Sequence, residues 1–149
     1  MLREMAPIVG LFLFHLLTFA VNTGYFKRNE VIGMNRISSG SIGVDQGSRV
    51  LFSDFADGGM MWTGNGSRES RHTVAFKEPY AEVPSVTVSI SMWDLDQMTN
   101  ARADISAENI TAAGFELVFR TWGDSRVARI RADWMAIGPL RDPDGWELY

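Results

Sequence analysis

Few side chains in this sequence could carry out covalent chemistry. There are no cysteines and only two histidines, His15 and His72, far apart and in unlike surroundings. Disulfides and thiolate metal sites are excluded, and a histidine-based zinc site or a Ser-His-Asp triad has almost no material. The run Asp94-Leu95-Asp96 lacks the glycine and terminal glutamate of an EF-hand calcium loop. No Gly-rich phosphate loop, nucleophile elbow or converging pair of carboxylates stands out. The expectation is a non-enzymatic protein with no catalytic residue, no metal and no cofactor.

Recognition chemistry is better supplied. Trp122 shares strand parity with Glu116, Val118 and Arg120, not with the apolar stripe Phe115, Leu117 and Phe119. An indole on the polar side of a strand end can offer its ring to the C–H face of a sugar or to another subunit. The plainer alternative is partial burial under a loop. Arg102 alternates with Ala101 and Ala103, so it faces outward with Asp104. Its guanidinium fork can hold two adjacent hydroxyls, or it can simply pair with Asp104, Glu116 or Asp133. Asn65 lies between Gly64 and Gly66, where it serves a turn or offers an amide to a hydroxyl. Trp93 has the parity of Ser89 and Ser91 and is expected at the surface or an interface, whereas Trp134 shares a face with Ile130 and Ala132 and reads as core. Asn65-Gly66-Ser67 and Asn109-Ile110-Thr111 match the glycosylation pattern, which matters only in a source that glycosylates secreted proteins.

The elements that must hold these residues are strands. Gly114 to Trp122 alternates apolar and polar, as do Val86 to Met92 and Ala128 to Ala136, with Gly, Asn and Asp clusters between them. Further strands are expected from His72 to Phe76 and over Ala101 to Ile105, and one or two irregular strands within residues 36–66. At 149 residues, 46% hydrophobic and 21% charged, the chain can pack one domain of ordinary size. Its net charge of −4 gives no global field favouring nucleic acid. An all-β, antiparallel β-sandwich is the architecture expected. Arg102, Arg120, Arg129 and Arg131 face outward with Asp104, Glu116 and Asp133. They form either a solvated face or an ion-paired contact around a threefold axis.

Three divisions are expected: an apolar segment over residues 1–33, a domain over residues 36–138 and a tail over residues 139–149, where Asp142-Pro143-Asp144-Gly145 marks a turn. Residues 6–21 form an apolar block broken only by His15 and Thr18, after Arg3 and before Lys27 and Arg28. It reads as a secretory signal, as a short membrane anchor, or as an extension outside the functional protein with the start at Met34. Membrane contact is expected only if the block is kept as an anchor.

Arg36-Ile37-Ser38-Ser39-Gly40, Phe76 with Pro79-Tyr80, Pro84-Ser85-Val86 and Asp94-Leu95-Asp96 together resemble the H-type lectin domain. So do Asn100-Ala101-Arg102, Gly114-Phe115, Thr121-Trp122 and Trp134-Met135-Ala136-Ile137-Gly138. The resemblance covers residues 36–138, and the order and spacing of the matches carry it. It implies a six-stranded antiparallel sandwich, assembled as a homotrimer or as a hexamer of two trimers. It also implies carbohydrate binding, of an N-acetylgalactosamine-like sugar or a surface polysaccharide, in shallow sites between neighbouring chains. Carried over by residue, the family's sugar contacts fall on Arg102, on Thr121-Trp122, on Asn65 beside Gly64, and on Gly123. Where the family has an acid this chain has Asn65, and where one branch has an aromatic ring it has Ala128.

The resulting expectation is a lectin module with Gly64, Asn65, Arg102, Trp122 and Gly123 as its carbohydrate-binding residues. It would act outside the cell or on a virion-like particle, for example as a phage-like or gene-transfer-agent tail fibre. The alternative is a structural assembly or adhesion protein that keeps the sandwich and has lost sugar binding.

Overall fold

The computed structural model describes residues 34, 36, 37 and 41–141. The apolar block, Ser38-Ser39-Gly40 and the Asp142 turn lie outside the described residues. Six strands carry the fold: β1 (Ile42–Ser53), β2 (Arg68–Ala75), β3 (Ser85–Leu95), β4 (Asp104–Glu108), β5 (Gly114–Thr121) and β6 (Val127–Pro139). They form two antiparallel three-stranded sheets, in the orders β1-β6-β3 and β2-β5-β4.

The central strand of each sheet supplies the core. Phe115, Leu117 and Phe119 of β5 are buried, as are Ile130, Ala132 and Ala136 of β6. Phe76 and Phe115 pack on Trp134, with ring centroids 6.2 and 5.5 Å away, which places that indole in the interior as its parity predicts. Gly47 lies opposite Trp134 in the β1–β6 register, and a Cβ there would come within 2.8 Å of the indole. Tyr80 plugs one end of the sandwich: its hydroxyl donates to the Ala136 carbonyl and accepts from the Asp45 amide.

Residues 36–66 depart from the expectation of irregular strands. β1 is one long strand, with a bulge at Leu51 that turns Phe52 inward onto Phe119, 5.3 Å between ring centroids. Two single helical turns follow, α1 (Asp54–Asp57) and α2 (Met60–Thr63). The reason is local: Gly58 at φ +63° ends the first turn, and the Asp54 carboxylate accepts from the Met61 amide at the start of the second. The strand expected over Ala101 to Ile105 begins only at Asp104, and Ala101 to Ala103 belong to the preceding loop.

The strand directions sort the loops. Residues 54–67, 96–103 and 122–126 all connect strands at one end of the sandwich. At the other end lie residues 76–84 and 109–113, together with the place where the chain enters and leaves. There the Leu140 amide donates to the Ser41 carbonyl.

Candidate functional site

The loop-bearing end gathers all five residues expected to bind sugar. Trp122 follows β5 directly and leaves 41% of its surface open. Gly123, at φ +64°, turns the chain sharply after it, in a backbone conformation that glycine adopts without cost. The turn also makes room, because a Cβ on Gly123 would sit 3.0 Å from Nη1 of Arg102. The arginine side chain therefore lies along a bare stretch of main chain, next in sequence to the indole.

Arg102 is held from two sides. Its guanidinium pairs with the Asp124 carboxylate, and the Asn100 side-chain amide donates to the same carboxylate at 3.1 Å. The Arg102 carbonyl accepts from the buried Thr121 hydroxyl at 2.7 Å, and the Asn100 carbonyl accepts from the buried Ser125 hydroxyl at 2.5 Å. The hydrogen bond from Arg102 keeps the Asp124 carboxyl below the usual carboxylate range. None of the three acids expected as partners for Arg102 holds it: the partner is Asp124, whose turn position had concealed its charge from a reading based on strand parity. The Asp94 carboxylate lies 3.8 Å from the Arg129 guanidinium.

The third wall is the loop containing Gly64 and Asn65. The Gly66 amide donates to the Gly123 carbonyl at 2.9 Å, and also to the Asn65 side-chain oxygen at 2.7 Å. Asn65 is thus both the turn residue and an exposed amide beside the tryptophan turn. Gly64 is required sterically, because a Cβ there would fall 2.6 Å from the Met60 carbonyl oxygen. Ala128 is buried and offers no surface beside the indole. Trp93 is exposed, as its parity suggests.

Sequence reasoning missed Arg68, the first residue of β2. It is 4% exposed, yet it donates to the carbonyls of Met61, Gly64, Gly66 and Gly123. An arginine beside a glycine-rich turn looks like any surface cation, and only the fold shows what surrounds it. What results is an exposed indole flanked by a braced guanidinium and by the side-chain amide of Asn65. Such a surface can stack on an apolar ring face and exchange hydrogen bonds with hydroxyls. Among the described residues no cluster of His, Asp or Glu is arranged to hold a metal ion.

The outward charges do not form one face. Arg120 and Glu116 lie on β5, in one sheet, while Arg129, Arg131 and Asp133 lie on β6, in the other. Alternation assigns a side chain to a strand's face, but it does not say which layer the strand joins.

Comparison with known proteins agrees with this structure. The sequence pattern described as the H-type lectin domain matches residues 71–137. The protein "ATP synthase subunits region ORF 7" of Fuscovulum blasticum is 65% identical over 108 residues, covering 72% of this chain and 94% of its own length. One of the discoidin-1 polypeptides of Dictyostelium discoideum is 37% identical over 75 residues, 50% of this chain and 30% of that one. The wild-type discoidin II structure from the same organism superposes with a TM-score of 0.58 at 27% identity, covering 69% of this chain and 39% of discoidin II. The chain thus spans less than half the length of either discoidin. On its matched residues, its relatives and its two-layer sheet structure, this chain belongs to the H-type lectin domain family.

Proposed function

We propose that this chain is a carbohydrate-binding module, not an enzyme, that recognises cell-surface glycans or polysaccharide through the notch at Trp122. The observation that carries this reading is the convergence of three separate loops on one open indole. Trp122 is the stacking platform, Arg102 the hydroxyl clamp, and Gly64, Asn65 and Gly123 the adjoining walls. A single shallow notch binds weakly, so the working form in this reading is a homotrimer, whose repeated notches raise avidity. One chain already brings the five residues together, and a neighbouring chain closes the notch from outside.

The division into an N-terminal segment over residues 1–33, a module over 36–138 and a tail over 139–149 belongs to the same reading. So does a place outside the cell or on a particle surface, as in a tail fibre. Among the described residues no helix is long and apolar enough to cross a membrane.

The second reading is an assembly protein without sugar binding. It is favoured by the bare Gly123 and the buried Ala128, which leave the notch with few side chains. A glycan array, read beside native mass spectrometry, separates the two. We expect selective binding that Trp122→Ala reduces at least about tenfold, the scale of one lost stacking contact, while the oligomer mass is unchanged. An intact oligomer that binds no glycan supports the assembly reading.

A further inference from the structure

We propose that Arg68 is the positioning residue of the saccharide notch, locking the Asn65 loop to the Trp122–Gly123 turn. Nε donates to the Gly66 carbonyl at 3.1 Å, Nη1 to Gly64 at 2.8 Å and Met61 at 3.3 Å, and Nη2 to Gly123 at 3.2 Å. These acceptors belong to two chain segments, and Gly123 lies 55 residues from Arg68 in sequence. The Gly66 amide closes the same junction from the other direction, donating to the Gly123 carbonyl.

Burial of a guanidinium is costly and lowers its affinity for the proton. The contacts that offset that cost are main-chain carbonyls, which an arginine meets with five N–H groups in a fixed plane. A lysine has one compact ammonium and cannot span the same set.

The arrangement also fixes which way the peptides face. Each carbonyl turned toward Arg68 points the next N–H the other way, since the described peptides contain no cis bond. The N–H groups of Asn65, Ser67 and Asp124 are thereby directed away from the arginine. In register Arg68 lies opposite Thr121, whose hydroxyl holds the Arg102 carbonyl. One buried cation therefore connects the loop wall, the indole turn and, through Thr121, the segment bearing the clamp.

This inference rests on the carbohydrate reading above, and the test separates the two. Full-length wild type, Arg68→Lys and a control, Val74→Ala, are compared on an array of neutral and acidic glycans, by thermal midpoint and by amide hydrogen exchange. Val74 is a buried β2 residue near the other end of the sandwich, so its truncation costs stability without touching the notch. Arg68→Lys is expected to keep the fold, lose exchange protection at the Gly66 amide, and bind at least about tenfold more weakly. Val74→Ala should bind as wild type does despite a lower midpoint. Undiminished binding by Arg68→Lys, or an equal loss in the control, overturns the proposal. Should wild type bind nothing on the array, the carbohydrate reading fails and exchange alone decides. Should Arg68→Lys not fold, wild-type exchange decides: a protected Gly66 amide supports the proposal and an unprotected one overturns it.

Discussion

The two outer faces of the sandwich differ more than the two sheets that form them. On the β2-β5-β4 face, Glu69, Arg71, Glu108, Glu116 and Arg120 satisfy one another within the chain. Arg71 reaches all three glutamates, and Arg120 reaches Glu69 at 2.8 Å and Glu108 at 2.6 Å. Val118 lies fully covered on that side, beneath a surface whose charges are ion-paired within the chain. The β1-β6-β3 face is built otherwise. Val44, Met135 and Ile137 stand exposed among Gln46, Ser48, Thr87 and Ser89. Its central carboxylate, Asp133, is held by the Ser48 and Ser91 hydroxyls. One face is a closed network of ion pairs, while the other sets exposed apolar and hydroxyl side chains beside Arg129, Arg131 and Asp133. In a protein that assembles, the second is the face on which copies would meet.

The largest effect should come from placing charge on the exposed apolar cluster of Val44, Met135 and Ile137. If the chain assembles as proposed, Val44→Asp with Ile137→Asp is expected to yield monomers in native mass spectrometry, with the strand signature in circular dichroism intact. An oligomer that survives both changes would move the contact elsewhere. On the opposite face, Arg120→Met leaves two glutamates without their least exposed partner, and should cost about 2 kcal/mol by thermal or urea unfolding. Arg71→Met, at a more exposed point of the same network, should cost less than Arg120→Met does. Equal costs would mean that burial does not grade the network.

The smallest effect is a two-step dependence of stability on acid. His72 is held below the usual histidine range by burial and by Arg49, so folding favours its neutral form. That contribution is complete above about pH 6.5 and declines as pH falls through that value. Glu69 is held low by its hydrogen bond from Arg71, and Asp133 by the Ser48 hydroxyl. Both favour the folded state at neutral pH and lose that effect as pH falls below about 4. Thermal midpoints measured from pH 8 to 3 should show both steps, and His72→Gln should remove only the first.

Much of this fold was legible in the residues. The alternation in β3, β5 and β6 located strands, faces and the core stripe, because a half-buried strand writes its geometry at period two. The helical turns at 54–63 were not legible: four-residue elements set by one aspartate and two glycines leave no periodic trace. The open position of Trp122 followed from parity, whereas the partners of Arg102 and the burial of Arg68 did not. Those depend on loops distant in sequence that meet in the folded sandwich, and nothing in the local sequence distinguishes Asp124 or Arg68 from ordinary surface charge. The same limit explains why charges from opposite layers read as one face.

The pairing of Leu140 with Ser41 bears on how a tether could be attached to the module. Entry and exit lie side by side at the pole remote from the indole, so a tether attached at either point projects the notch outward, like a lamp on its stem. A surface coated through a link at Ser41 or Leu140 should display the Trp122 end to solution, and loop exchange at the far pole would leave that attachment untouched.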